Sequence, residues 1–160
     1  MKQIKFRGKR TDNGEWVYGF YMAISGTHNI LSANPDSPSG ATYYEVIPST
    51  VGRFTGLKDE NGKEIYEDDI INGCFKYEDL TAEGCVIPDQ DCLCKGVVKF
   101  SKVRLQWVLD IFQAESPISK WMEESEDSEI PLVHFEYESP EFNMDLLEVI
   151  GNVYENPELM

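Results

Sequence analysis

The sequence predicts a mainly β chain, an antiparallel barrel or folded sheet with little helix. Short runs of alternating or β-branched and aromatic residues recur along its 160 residues. They are separated by turn signals, Asn-Gly above all, and almost nowhere does an apolar period of 3.6 appear. Many short strands at such spacing are the mark of an all-β unit.

Taken in order, residues 3–7 alternate, with Ile4 and Phe6 on one face and Gln3, Lys5 and Arg7 on the other, as a half-buried strand does. Thr11-Asp12-Asn13-Gly14-Glu15 is a turn, because Asn-Gly supplies the positive-φ positions of a tight hairpin. Trp16 to Met22 carries aromatic and β-branched residues on both faces, which predicts a strand covered on both sides. Residues 25–41, rich in Ser, Gly, Asn and Pro, read as a loop interrupted by Ile30-Leu31. Strands follow at 42–47, ended by Pro48, and from Val51 to Thr55. Asp59-Glu60-Asn61-Gly62 is a second hairpin turn, leading to Ile65-Tyr66, and Asp69 to Phe75 is a further strand that Gly73 should bend or bulge.

Lys76 to Lys95 is polar and contains Gly84 and Pro88, so an excursion from the fold is expected there. Val97–Phe100, a turn at Ser101-Lys102, and Leu105–Phe112 form a third hairpin. Ser116 and Pro117 could open a helix reaching Glu126, although the acidic run Glu123–Glu129 would equally solvate as a loop. Val133–Tyr137 alternates, and Val149–Tyr154 is a last strand interrupted by Gly151. No repeat or linker divides the chain, so a single domain, 1–160, is expected, with loop insertions at about 76–95 and 113–131.

Composition narrows the function classes. No apolar run reaches the length of a membrane helix, and Met1–Arg7 lacks the apolar stretch of a signal peptide. The expected location is the cytoplasm, where the four cysteines would stay reduced. The net charge of −15 is uneven: residues 1–75 hold 8 Lys/Arg against 10 Asp/Glu, and residues 76–160 hold 6 against 19. Duplex nucleic acid is thereby disfavoured, because phosphate affinity comes from cations that displace counterions. The first ten residues are the exception, with Lys2, Lys5, Arg7, Lys9 and Arg10 and no acid.

Three segments resemble the YopX family of phage and prophage proteins. They are Ile4-Lys5-Phe6-Arg7-Gly8-Lys9-Arg10 through Trp16-Val17-Tyr18-Gly19, the stretch Phe54-Thr55-Gly56-Leu57-Lys58-Asp59-Glu60-Asn61-Gly62-Lys63-Glu64-Ile65-Tyr66-Glu67-Asp68-Asp69-Ile70, and Glu148-Val149-Ile150-Gly151-Asn152-Val153-Tyr154-Glu155-Asn156-Pro157-Glu158-Leu159. They stand in the family's order. The resemblance implies a mostly β fold with an SH3-like or pseudo-barrel portion and a phage or prophage origin. It implies no established activity, so no catalytic residue is carried over. At Asp68 the family more often has Gly, and Asp tolerates the left-handed backbone better than most residues.

No constellation of residues carries recognisable chemistry. The acids at Asp59, Glu60, Glu64, Glu67, Asp68 and Asp69 superficially suggest a cation loop, but the register puts Lys63 where an EF-hand needs a ligand. Cys74, Cys85, Cys92 and Cys94 are spaced C-x10-C-x6-C-x-C, without the paired knuckles of a structural zinc site, so free thiols are expected. His134 falls in an alternating strand, and His28 in a loop without a neighbouring nucleophile. No glycine cluster precedes a helix as a phosphate loop would. Aromatic hairpins could stack bases, but a single-strand-binding face is normally ringed by cations. The expectation is therefore no catalytic, cofactor-binding or metal residue and no cofactor. A non-enzymatic accessory protein that binds another protein, from host or phage, fits best. The alternatives are an acidic mimic of nucleic acid that occupies a host DNA-binding protein, and a homo-oligomeric structural component. No membrane partner is expected.

Overall fold

A computed structural model describes residues 4–80, 86–115, 119, 122–123, 128–132, 141–142 and 146–160, with the backbone alone at 75–80, 86–91, 131 and 141–142. The protein is mainly β, built on two antiparallel sheets, and divides into two compact units, Met1–Leu57 and Lys58–Met160. Among the described residues no helix is long and apolar enough to cross a membrane.

In the first unit, β1 (Phe6–Lys9), β2 (Trp16–Ile24), β3 (Thr27–Ala33), β4 (Ala41–Glu45) and β5 (Gly52–Lys58) lie in the sheet order β4-β3-β2-β1-β5. The β1–β2 turn has Gly14 at φ +73°, the conformation that the Asn13-Gly14 pair predicts. The chain leaving β4 returns to the end of β1. The Ile47 N–H donates to the Lys9 carbonyl at 2.8 Å, the Thr11 N–H to the Glu45 carbonyl at 3.0 Å, and Arg10 bridges Val46. The sheet thus curls into a partly closed barrel. Val17, Ile30 and Val46 are buried inside it, with Phe6, Tyr44 and Val51 packed around them. Burying these side chains is the main favourable term in the unit's stability.

Two expectations for this unit are corrected. Residues 27–33, expected as part of a loop, are strand β3, paired on both sides by β2 and β4. Ser25 and Gly26 have φ of +51° and +82°, the two positive values that a type I′ hairpin requires, and the polar Thr27-His28-Asn29 disguises the strand that follows. The outer face of β2, expected to be covered, leaves Tyr18, Phe20 and Ile24 exposed.

The second unit has β6 (Glu64–Tyr66), β7 (Asp69–Leu80), β8 (Val86–Ser101), β9 (Gln106–Ala114), β10 (Glu129–Pro131), β11 (Glu141–Phe142) and β12 (Glu148–Asn152). Its sheet runs β10-β9-β8-β7, with β11 and β12 both pairing the outer side of β7. Ile65, Tyr66, Ile70, Ile71, Val98, Val108, Leu109 and Leu147 are at most 2% exposed and form the core. Asp68 sits at φ +66°, the left-handed conformation anticipated for it, and its carboxylate accepts the Tyr154 hydroxyl at 2.5 Å.

The excursion expected at 76–95 is instead one long hairpin. β7 and β8 pair from Ile70↔Val97 out to Leu80↔Val86, and the irregularity lies between Tyr77 and Asp79 rather than at Gly73. Buried Cys92 and Cys94 alternate with exposed Leu93, which pins the register near the core. Farther out, Asp89-Gln90-Asp91 carries no apolar signal in the sequence, yet the strand continues past it to Val86. Of the expected 113–131 insertion, Gln113 and Ala114 belong to β9 and residues 129–131 to β10. Of the expected helix, Ser119, Met122 and Glu123 are described and are helical; the rest of it, and the strand at 133–137, lie outside the described residues. The last strand is irregular between Val149 and Gly151, where a Cβ on Gly151 would come within 2.5 Å of the Asn156 side chain.

Candidate functional site

The outer face of the first unit follows from strand alternation. Phe6 and Gly8 point into the barrel, so Lys5, Arg7 and Lys9 share the opposite face. Arg7 lies opposite Tyr18 and Lys9 opposite Trp16 in the ladder, which brings the aromatic row Trp16, Tyr18, Phe20 beside the cationic row. The Lys5 ammonium is 5.5 Å from the Tyr18 ring centre, the Arg7 guanidinium 4.7 Å and the Lys9 ammonium 5.6 Å from that of Trp16. Each such contact is worth about 0.5–1 kcal/mol at an exposed site. Arg7 is buried. Of the basic start of the chain, Lys5, Arg7 and Lys9 are therefore engaged on aromatic rings, and Lys2 lies outside the described residues.

Farther along the same face the rings are open. Phe20 pairs with Leu31, and Leu31 with Tyr43, so these three side chains form a row across β2, β3 and β4. Phe20 is 51%, Ile24 56% and Tyr43 60% exposed. Contiguous apolar exposure of this kind marks interaction surfaces.

The row ends at the outer edge of β4, whose Glu45 end is taken by the end of β1, through Thr11 and the bridge from Arg10 to Val46, while among the described residues no strand lies beside Ala41–Tyr43. The Val46 N–H donates to the His28 carbonyl and the Asn34 N–H to the Gly40 carbonyl, both at 2.9 Å. With the register Ile30↔Tyr44 and Ser32↔Thr42, the even-numbered residues of β4 make the bonds to β3. Antiparallel pairing alternates, so the main-chain groups of Ala41, Tyr43 and Glu45 point away from the sheet. The Glu45 carbonyl takes the Thr11 N–H and the Ala41 carbonyl takes the Ser39 hydroxyl at 2.9 Å. Both main-chain groups of Tyr43 face outward.

The second unit holds an open cavity of about 460 Å³, floored by Cys74, Leu93, Cys94 and Ala114 and rimmed by Glu60, Lys95, Glu115 and Glu148. Its Cys94 thiol is a poor nucleophile. Burial, reinforced by neighbouring Cys92 and Cys74, pushes the Cys94 thiol up to about 12, so it is protonated at neutral pH. The linked stability is full below the ordinary thiol value of 9.0 and declines as pH rises from there towards 12. Cys74, Cys92 and Cys94 are free and buried, and Cys85 lies outside the described residues. With Cys85 replaced by Ser, the three remaining thiols are expected to react with a disulfide reagent at pH 8 about a hundredfold more slowly in native protein than in urea, the ratio reflecting how rarely buried groups open. Equal rates would contradict their burial.

The other candidates resolve into structural roles. His28 lies in β3 rather than a loop, its Nδ1 2.6 Å from the Tyr21 hydroxyl; His134 lies outside the described residues. In the acidic stretch, Asp59 accepts main-chain N–H groups of Asn61, Lys63 and Val149. The Glu64 carboxylate accepts the Tyr66 hydroxyl at 2.6 Å and that of Asp69 the Tyr66 N–H at 2.8 Å. Among the described residues no three His, Cys, Asp or Glu side chains are grouped to hold a metal ion. The sequence reading missed the open row and the β4 edge. The available signal was the alternation of Trp16, Tyr18 and Phe20 against Val17, Gly19 and Tyr21, which divides the two faces of β2.

A family model described as YopX protein matches residues 5–160, and the chain belongs to that family. No curated protein matches the chain.

Proposed function

We propose that this YopX-family chain is a non-enzymatic protein-binding module, encoded by phage or prophage and acting in the host cytoplasm. The observation that carries the reading is the set of exposed apolar side chains Phe20, Ile24 and Tyr43 on one ordered sheet face, beside the part of the β4 edge at Ala41–Tyr43 that the end of β1 leaves open. Aromatic anchors set in a sheet provide large contact area at low entropic cost, and sheet edges recruit further strands. The division of charge supports the same half of the protein as the adhesive one. Residues 1–57 carry 6 Lys/Arg and 4 Asp/Glu, whereas residues 58–160 carry 8 and 25.

The test is capture from host lysate by the tagged protein and by a Phe20→Asp/Ile24→Asp variant whose circular dichroism matches wild type. A specific protein held by wild type and reduced about tenfold or more in the variant is the expected result, since central aromatic anchors contribute 2 kcal/mol or more. Recovery of nothing beyond bulk contaminants counts against the reading. Capture that survives the substitutions but disappears with added salt would favour the second reading, an acidic nucleic-acid mimic, for which the −17 balance of residues 58–160 is the specific support.

A further inference from the structure

The β8–β9 ladder has an unlike feature at each end. Near Cys94↔Ala114 it carries the open cavity, and beyond Ser101↔Gln106 it closes in a hairpin tip. We infer that the tip of one copy of this chain seats in the cavity of a second copy, a head-to-tail contact made by the second unit alone. The tip is an ordered protrusion. Val103 is 94% and Leu105 76% exposed, and the Arg104 N–H donates to the hydroxyl of buried Ser101 at 3.3 Å, which fixes the turn. Leu105 also holds φ at +54°, a conformation that is costly for leucine and suits glycine, asparagine or aspartate. A fold that needed only a turn here would gain nothing from leucine, in strain or in solvation.

Three observations make a second copy the occupant. The first is charge. Although the unit carries 8 Lys/Arg against 25 Asp/Glu, residues 96–109 hold Lys99, Lys102 and Arg104 and no acid. The cavity rim sets Glu60, Glu115 and Glu148 against Lys95. Within one chain Lys99 pairs with Asp110 and Arg104 with Glu129, so the exposed Lys102 is the cation offered to that rim. The second is apolarity. The floor of Cys74, Leu93 and Ala114 matches two apolar side chains, and about 460 Å³ is within the range of pockets that enclose a small ligand. The third is placement. Tip and cavity lie about 20 Å apart along one strand pair, so a tip cannot reach the cavity of its own chain. Unlike surfaces at opposite ends are what a heterologous contact requires, and such a contact repeats, closing into a ring or continuing as a filament.

The inference uses neither the face nor the partner of the proposed function, so capture of a protein and self-association can each fail alone. The experiment is sedimentation velocity on wild type, Leu105→Asp, Leu93→Arg and an equimolar mixture of the two variants. Leu105→Asp sets a carboxylate against the acidic rim at a φ that aspartate accepts. Leu93→Arg fills the cavity from an exposed position, with a charge that repels Lys102. Wild type should move reversibly from the chain mass of 18.3 kDa to larger species over a series reaching about 1 mM, since one tip buries less than a standard interface. Each variant alone should associate about tenfold or more weakly, equivalent to about 1.4 kcal/mol. The mixture should reach twice the chain mass and stop there, because one intact tip meets one intact cavity and leaves a blocked tip and a blocked cavity. Wild type at the chain mass at every concentration, a variant that associates as wild type does, or a mixture no more associated than its components overturns the inference.

Discussion

Gly19→Ala should lower stability by about 3 kcal/mol or more, near the upper end of what overpacking costs. A Cβ at Gly19 would lie 2.0 Å from the Leu31 carbonyl oxygen and 2.8 Å from its carbon. Both are main-chain atoms of β3 in the ladder that joins it to β2. A side chain in the way could rotate, but this carbonyl cannot move without parting the two strands. They carry Val17 and Ile30, two of the three buried residues of the first unit's core, so relief at Gly19 opens that core. Gly14→Ala is the control. Its Cβ meets nothing within 4 Å, and only the φ of +73° is unfavourable, so a loss of about 1 kcal/mol is expected. Urea denaturation of the two variants measures the difference. Equal midpoints would mean that β2 and β3 are not held as closely as this geometry requires.

Local signals made much of the fold legible. Asn13-Gly14 and Asn61-Gly62 announced turns because few residues accept positive φ, and Gly14 and Gly62 have φ of +73° and +78°. Ile4-Lys5-Phe6-Arg7 announced a strand by its alternation, but β1 runs Phe6–Lys9, with Ile4 exposed before it and Arg7 buried against Trp16. Asp68 was readable as a left-handed position only through the family pattern, in which glycine is usual there. What escaped was held by long-range pairing. β3 begins Thr27-His28-Asn29, and its place depends on the Ser25-Gly26 turn and on neighbours in both directions. β7 and β8 extend past the core through Asp89-Gln90-Asp91, where nothing in the side chains distinguishes a strand from a solvated loop. The candidate surface was hidden for a related reason. Phe20 and Tyr43 are aromatic like core residues, and only the register shows that they share the outer face. The open groups of Tyr43 are main-chain atoms, on which residue identity has no bearing.

Asp59→Ala should cost about 3 kcal/mol and Asp59→Asn about 2 kcal/mol, chiefly by stranding the buried Val149 N–H, with the part-buried N–H groups of Asn61 and Lys63 adding less. Asp59 is 6% exposed. One carboxylate oxygen accepts the Asn61 N–H at 2.9 Å and the Lys63 N–H at 2.8 Å, and the other accepts the Val149 N–H at 3.2 Å. The first pair shapes the turn, in which the Gly62 N–H also donates to the Asp59 carbonyl at 2.9 Å. The third bond ties that turn to β12, 90 residues later in the chain. The neighbouring Glu60 N–H reinforces it by donating to the Leu147 carbonyl at 2.9 Å. Alanine leaves three donors without an acceptor. Asparagine keeps the shape, but its amide can present an oxygen on one side only. The oxygen stays with Asn61 and Lys63, and its NH₂ then confronts the Val149 N–H, so β12 loses its anchor while the turn survives. Hydrogen exchange in the asparagine variant should therefore quicken at Val149 before it quickens at Asn61 and Lys63. Glu60→Gln, an exposed change one residue away, should stay within about 0.5 kcal/mol of wild type. If the alanine variant did so too, the acids of this turn would not be the structural clamp that this geometry makes them.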